Sequence, residues 1–321
     1  MKKYFIITVD TEGDNLWNYK KGTTVQTENS LFVQRFQDLC NKYGFKPVWL
    51  TNYEMASDDR YVEYIKAKEE KGLCEVGIHV HAWNNPPLYN LNGSYFGNAY
   101  LIEYPKDIMY EKFRVCYELI KEKFGHPPVS HRAGRWVMNE EYFRLLEHFK
   151  VRIDCSVTPL VDWSTTPGES VCGGCDYRNY PMNSHFIGKT LEVPVTIRKI
   201  HLTKLGDWKH KIKTFVLGKI VWLRPAMYQL NDMKVLVKKV LKSQSSDYLE
   251  FMVHSSELMA GGSPYFKTDK SIESLYVNLE NFFAYVKKMG YEGVTLQRLK
   301  KRIVKRINLD VALVPVILLI A

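Results

Sequence analysis

Two histidines, His79 and His81, are spaced so that both could bind one metal ion. Residues two apart in an extended chain point to the same side, so the two imidazoles would lie together. A catalytic zinc site takes three protein ligands and keeps one position open for water. A carboxylate from near the start of the chain, Glu12 or Asp14, would complete a set of two histidines and one carboxylate. The alternative is a pair of hydrogen-bonded core histidines with no metal.

Asp10 ends a run of apolar residues near the start of the chain. A carboxylate at such a position is costly to bury unless it is paired or functional. Arg132, which lies at the end of another predicted strand, is its natural partner. An arginine beside an aspartate lowers the pKa of the carboxylate and fixes its orientation. The alternative is a structural ion pair with no chemistry.

His254 ends another apolar run and is followed by the polar residues Ser255 to Glu257. Imidazole titrates near neutral pH, so a histidine that emerges from a buried strand into a polar turn suits a general acid. The alternative is a hydrogen-bonded histidine at the rim of the fold.

Short apolar runs rich in β-branched residues alternate with longer stretches of helical period. This alternation predicts parallel strands joined by crossover helices. An open doubly wound sheet is the competing architecture, but no Gly-x-Gly-x-x-Gly turn follows the first strand. We therefore predict an α/β fold, an irregular (β/α) barrel that need not close fully. The predicted strands lie at about Tyr4–Val9, Pro47–Thr51, Cys74–His79, Val129–Arg132, Arg152–Cys155, Leu191–Ile197, Leu249–His254 and Gly293–Thr295.

The carboxyl ends of the strands share one face of a parallel barrel, and active sites are built on that face. Polar residues follow several of the predicted strands at this end. We therefore expect these scattered residues to converge, namely Asp10, Glu12, Asp14, His79, His81, Arg132, Asp154 and His254.

Positive charge is concentrated in the segment 198–242, which alone carries a net charge equal to the +10 of the whole chain. Within it, residues 209–224 mix lysines with large apolar residues and resemble an interfacial amphipathic segment. Such a segment would contact an anionic membrane, or it is a solvated insertion. We predict one barrel domain, 1–299, followed by a tail, 300–321, that is first basic and then apolar.

Six cysteines are too few to form a disulfide scaffold in a chain of 321 residues, so free thiols are expected. Cys172 and Cys175 form a lone Cys-x-x-Cys without a second pair, which we interpret as incidental loop chemistry. Only residues 4–9 separate the basic start from Asp10, too short a run for the core of a signal peptide. The expected location is therefore cytoplasmic, peripheral at the inner face of the membrane if the basic segment binds lipid.

Five stretches occur in the order found in the polysaccharide deacetylase family, the NodB-like homology domain of carbohydrate esterase family four. The chain resembles that family from Thr8 to about Leu299. Each stretch alone is weak, and the ordered set is more specific. The matching stretches are Thr8 to Glu12, Gly77 to His81, Ser130 to Trp136, Asp154 to Pro159 and Met252 to Leu258.

The resemblance implies a role for four residues. Asp10 would be the catalytic base, and Arg132 would hold that base. His79 would be a metal ligand, and His254 would be the catalytic acid. These assignments agree with the chemistry expected from the residues themselves.

Two positions depart from the family pattern. The usual second aspartate of the first motif is Thr11 here, and the usual second histidine of the second motif is Trp83. The ligands that accompany His79 must therefore be His81 with Glu12 or Asp14, or the chain binds no metal. Where a metal is bound, a divalent ion is implied, with zinc the first choice.

The resemblance further implies a hydrolase that removes acetyl groups from N-acetylated sugars of a cell-surface polysaccharide or its lipid-linked precursor. The sequence looks most like a branch associated with lipopolysaccharide, capsule or exopolysaccharide biosynthesis. The expected partner is thus an N-acetylated glycan or glycolipid. Trp83 and Trp136 could stack on sugar rings, and Asp154 is a further candidate substrate-binding residue.

Two other functions remain open from the sequence. A glycoside hydrolase could use Asp10 with Glu12 or Asp14 as its carboxylate pair and would need no metal. A non-catalytic glycan- or lipid-binding barrel could have lost its metal with the changes at Thr11 and Trp83. Nucleic-acid binding is disfavoured, because the basic charge is not accompanied by a recognised binding module.

Overall fold

A parallel sheet curls around the centre of the molecule and carries helices on its outer side. The computed structural model describes residues 2–20, 22–93, 97–171, 173–201, 218–243, 246 and 248–312, with side chains as far as residue 306. The strands are β1 Lys3–Thr11, β2 Pro47–Thr51, β3 Glu75–Val80, β4 Ser130–Ala133, β5 Ile153–Asp154, β6 His185–Ile187, β7 Thr190–Glu192, β8 Ile197–Ile200, β9 Lys219–Trp222, β10 Tyr248–His254 and β11 Tyr291–Gly293.

Helices connect most of these strands, as expected for crossover connections. Short 3-10 turns also occur, and two of them, Gly134–Trp136 and Ser255–Leu258, directly follow β4 and β10. The helices are α1 Val33–Tyr43, α2 Tyr53–Ala56, α3 Asp59–Glu70, α4 Lys106–Phe124, α5 Glu140–His148, α6 Leu230–Ser243, α7 Asp269–Lys288 and α8 Leu296–Ala312.

The main sheet has the strand order β10-β1-β2-β3-β4-β5-β7-β6, with β11 beside β1. All neighbours in it are parallel except the edge pair β6 and β7. Single backbone bonds link β10 to the segment that follows β7 and to the end of β9: Thr196 N–H donates to Glu250 O at 3.3 Å, and Met252 N–H donates to Leu223 O at 3.1 Å. The predicted irregular barrel is therefore confirmed.

One predicted strand, Leu191–Ile197, is broken in the structure. Residues 190–192 form β7 in the main sheet, whereas Ile197 begins β8, which pairs antiparallel with β9 in a separate hairpin. Pro194 lies between them and has no backbone N–H to donate to a ladder, which explains why the strand does not continue.

Side chains alternate between the two faces of each central strand. In β1, residues 5, 7 and 9 pack outward in the main core with the helices, whereas Ile6 packs in a second cluster inside the barrel. Thr8 and Asp10 follow Ile6 on this inner side and are buried. The interior thus changes from apolar at the amino ends of the strands to polar at their carboxyl ends.

Helix α8 closes the apolar end of the barrel. Leu296, Leu299 and Ile303 are buried in the same cluster as Ile6 and Ile153. The helix therefore runs across the boundary predicted after residue 299, and the start of the predicted tail packs on the barrel. Its apolar end, 313–321, lies outside the described residues.

Candidate active site

Arg132 lies at the centre of the polar layer inside the barrel and is fully buried. Its guanidinium donates to the carboxylates of Asp10 and Glu250, and also to Thr8 Oγ1 at 2.9 Å. Its Nε donates to the carbonyl of Cys155 at 3.0 Å. Since every side of the guanidinium is used, Arg132 is fixed and holds Asp10 in one orientation.

The environment of Asp10 keeps its carboxylate ionised. Burial alone would raise the pKa of Asp10, but the charge of Arg132, helped by His79 and His254, brings it below the ordinary value of 3.8. Behind Arg132, burial raises the pKa of Glu250 to about 7. Asp10 is therefore the partner of Arg132 with the lower pKa, and it faces the cleft.

Glu12, His79 and His81 form a buried group at the end of β1 and β3. One ligand atom from each lies within 4.8 Å of the others. His79 Nε2 is 2.9 Å from His81 Nε2, and Glu12 Oε2 is 3.2 Å from His81 Nε2. The structure thus brings together the two histidines and Glu12, one of the two carboxylates that the sequence left open.

The hydrogen bonds of this group fit a bound cation. His79 Nδ1 lies 2.9 Å from the carbonyl oxygen of Arg132, so this nitrogen must carry the proton and the lone pair of Nε2 faces Glu12 and His81. Burial and the neighbouring His79 lower the pKa of His81 well below 6.5, which leaves its ring neutral. Two imidazole nitrogens and a carboxylate that lie this close together could hold a divalent metal ion.

Asp14 does not belong to this group. Its carboxylate accepts the backbone N–H groups of Glu28 and Asn29, at 2.9 and 3.0 Å, and the side-chain amide of Asn29 at 2.6 Å. Asp14 therefore tethers the 3-10 turn Glu28–Phe32, and its oxygens are engaged there.

Asp154 does not reach the cleft either. Its neighbours Ile153 and Cys155 pack inside the barrel, so alternation sends Asp154 to the outer side. There it is fully buried and contacts His131 Nδ1 at 2.6 Å and Ser156 Oγ at 2.8 Å. This placement does not fit the predicted contact with substrate.

His254 lies across from the metal-ligand group, at the end of β10. Its Nε2 is 3.7 Å from Asp10 Oδ2, and its Nδ1 is 3.3 Å from Glu257 Oε1. Glu257 is fully buried and accepts a hydrogen bond from Arg224 at 2.7 Å. Burial alone would lower the pKa of His254, but Glu12, Glu257 and Asp10 raise it above 6.5.

The sequence interpretation missed Glu257 and Arg224. Glu257 lies three residues after His254 on the turn 255–258, a local spacing that could have identified it. Arg224 follows β9, in a part of the chain that only tertiary structure brings to the site.

A cleft of about 650 Å³ lies at the carboxyl ends of the strands. Its lining includes Asp10, Glu12, His79, His81 and His254. Both tryptophans predicted to bind substrate, Trp83 and Trp136, line it. Trp136 packs against Trp222 at 5.6 Å between ring centroids, and Trp17 packs against His254 at 4.9 Å. Aromatic rings thus surround the polar centre on several sides.

Arg135 links two separate segments of the chain beside this cleft. Its guanidinium donates to the carbonyl oxygens of Asn98 and Pro167, the latter at 2.9 Å, and lies 4.3 Å from the ring centroid of Tyr100. Arg135 and Trp136 both have positive φ, 58° and 66°, an uncommon conformation for residues other than glycine. Arg135 therefore holds the segments around Asn98 and Pro167 together at this wall of the cleft.

Two other predictions concern residues that are partly outside the described structure. Cys172 and residues 202–217 of the basic segment are not described, whereas Cys175 is a free thiol that contacts the backbone of Met138. Among the described residues, no helix has both the length and the apolar character needed to cross a bilayer.

Comparison with known proteins finds similarity in structure. No protein-family model matches the sequence, and no curated protein matches it. A putative polysaccharide deacetylase from Mycobacterium smegmatis matches with a TM-score of 0.53 and 13% identity, over 95% of this chain and 92% of that chain. A 4-alpha-glucanotransferase from Thermococcus litoralis matches with a TM-score of 0.52 and 11% identity, over 93% of this chain and 40% of that chain.

The fold is the irregular (β/α) barrel of the polysaccharide deacetylase type. The resemblance to the NodB-like domain is thus confirmed at the level of fold. Because a glucanotransferase shares the architecture at similar identity, the fold by itself does not specify the reaction.

Proposed function

We propose that this chain is a metal-dependent hydrolase that removes acetyl groups from N-acetylated sugars of a cell-surface polysaccharide or its lipid-linked precursor. One observation carries the proposal. A fixed, ionised Asp10 lies between a group that suits a divalent metal and a histidine that suits a general acid, within one aromatic cleft.

Hydrolysis of an acetamide needs an activated water and a protonated leaving nitrogen. A divalent ion, with zinc the first choice, would be held by Glu12, His79 and His81 and would supply Lewis-acid activation of water and of the acetyl oxygen. Asp10 accepts the proton of the attacking water, since Arg132 keeps it charged and oriented. His254 donates a proton to the departing nitrogen, which leaves as the free amine of the sugar while acetate is released.

The walls of the cleft support a sugar substrate. The pyranose ring presents a face of C–H groups that packs on aromatic rings, and Trp83 and Trp136 are placed to provide such rings. At the rim, Trp17, Met227 and Tyr265 remain 39%, 67% and 38% exposed. This apolar rim favours a lipid-linked precursor over a free polysaccharide.

The substrate proposal is tested by measuring acetate from a tetrasaccharide of N-acetylglucosamine and from a synthetic glycolipid carrying the same sugar. Acetate release supports deacetylation, and faster release from the glycolipid supports the lipid-linked precursor. New reducing ends without acetate would instead support the glycoside hydrolase that the shared fold with the glucanotransferase allows. Binding without any product would support the non-catalytic barrel.

Activity is expected to fall on the alkaline side at a pH above 6.5. His254 must carry a proton to act as the acid, and the surrounding carboxylates raise its pKa above that value. Asp10 must be ionised, and its pKa is below 3.8, so it sets no acid limit in the neutral range. The measurement is kcat/KM against pH. An alkaline limit below pH 6.5 would contradict the assignment of His254.

Replacing Glu257 by Gln is expected to reduce kcat by up to about 100-fold, the lower end of the range that general acid catalysis contributes, because Glu257 acts through His254. The amide removes the negative charge that faces His254 Nδ1 and leaves Arg224 unbalanced beside the imidazole. The alkaline limit should therefore move to lower pH. Glu257→Asp should recover part of the activity, whereas a purely structural role would leave the pH profile unchanged.

A further inference from the structure

His81 takes part in the metal-ligand group without the hydrogen bond that orients His79. Metal-binding histidines almost always donate their second ring nitrogen to a neighbouring acceptor. His79 has such a partner in the carbonyl oxygen of Arg132. His81 Nδ1 is buried and has no partner among the described residues. Another contact must therefore fix this ring.

An indole ring covers one face of His81. The Trp83 and His81 rings are stacked, with centroids 4.3 Å apart and planes inclined by 20°. The indole N–H of Trp83 is also buried without an acceptor in the described part of the chain. The contact between the two residues is thus one of ring faces, and neither ring is oriented by a hydrogen bond at its free nitrogen.

The end of β4 confines His81 as well. A Cβ atom on Gly134 would lie 2.8 Å from His81 Cδ2 and 2.4 Å from the carbonyl oxygen of Val80. Both distances are shorter than van der Waals contact allows. Only glycine permits the imidazole edge to approach this closely, so His81 contacts Gly134 as well as the indole of Trp83.

The turn that carries Trp83 is itself firmly anchored. Asn85 N–H donates to His81 O at 3.1 Å and closes the turn. The buried side chain of Asn85 donates to Lys112 O at 2.6 Å, and Lys112 Nζ donates to Asn85 O at 2.8 Å. The indole therefore has a fixed support on α4.

From these contacts we infer that Trp83 and Gly134 are positioning residues for the metal ligand His81, and that ring packing replaces the usual second hydrogen bond. This inference rests on the proposed metal site. It also gives Trp83 a second role: its indole packs on one face of the ligand His81 and also lines the cleft.

The test measures zinc and cobalt binding by calorimetry to metal-free full-length protein, together with the visible spectrum of the cobalt form. Trp83→Leu removes the flat ring and should weaken binding by about 10- to 100-fold, the loss typical of an outer-shell partner. Trp83→Phe keeps a flat ring and should retain most of the affinity. Trp163→Leu changes another tryptophan of the cleft and should leave metal affinity unchanged.

Gly134→Ala provides an independent variant, since its added methyl group would clash with His81 Cδ2. It should weaken metal binding and alter the cobalt spectrum. Far-UV circular dichroism and thermal unfolding of each metal-free variant establish that it is folded. Folded Trp83→Leu and Gly134→Ala proteins with wild-type affinity and spectrum would overturn the inference while leaving the metal site intact. A wild-type protein that binds neither ion would overturn the site and the inference together.

Discussion

Replacement of Asp10 by Asn is expected to reduce acetate release by about 100- to 10,000-fold, the range attributed to general acid–base catalysis. The amide has nearly the same shape as the carboxylate but cannot accept a proton from water. Arg132 keeps its contacts with Glu250, Thr8 and the carbonyl of Cys155, so the polar layer should remain folded. The measurement is kcat for acetate release, with metal content determined on the same samples.

Asp14→Asn is the matched control for this prediction. It makes the same change four residues away, on a carboxylate that tethers the turn 28–32. Its expected cost is about 1 kcal/mol in the free energy of unfolding, the size of one lost hydrogen bond, because the amide nitrogen cannot accept one of the two backbone N–H groups. Activity should be unchanged. An Asp10→Asn protein with wild-type activity, or equal losses in both variants, would contradict the assignment of Asp10 as the base.

Replacement of His79 by Ala is expected to remove the bound metal and to lower activity by more than the roughly 100-fold cost of losing an outer-shell partner. His79 is the histidine whose second nitrogen is fixed by a backbone carbonyl, so it is the better oriented of the two. Two remaining ligands do not make the three-ligand set typical of catalytic zinc. The measurement combines elemental analysis of the purified protein with acetate release before and after adding zinc.

His126→Ala is the control for the metal prediction. His126 lies outside the cleft and pairs with Glu69 at 2.8 Å, so its loss should change neither metal content nor activity. A His79→Ala protein that retains one metal ion per chain would show that these residues do not form the proposed site.

Much of the site could be predicted from local patterns in the sequence. Asp10, His79 and Arg132 lie at the ends of predicted strands, and parallel strands bring such ends together. The period of two predicted that His79 and His81 share one side, and their Nε2 atoms are 2.9 Å apart. These predictions succeeded because strand geometry alone determines them.

The predicted positions that the structure corrects depend on tertiary contacts, or on which face of a strand a residue occupies. The carboxylate of Asp14 instead accepts a hydrogen bond from the side chain of Asn29, fifteen residues further along the chain. Asp154 lies between Ile153 and Cys155, which both face the inside of the barrel. Since side chains alternate along a strand, Asp154 faces outward, and this follows only once the inward positions are known. The hairpin of β8 and β9, which brings Arg224 to the site, was not predicted, because residues 201–218 separate its two strands in the sequence.

The most direct test of the central claim is acetate release by wild-type protein from N-acetylated tetrasaccharide and glycolipid, before chelation, after chelation and after zinc is restored. The geometry of Asp10, His254 and the ligands Glu12, His79 and His81 predicts release that chelation abolishes and zinc recovers. Acetate release that is unaffected by complete removal of metal, or no release with one zinc bound per chain, would contradict the account.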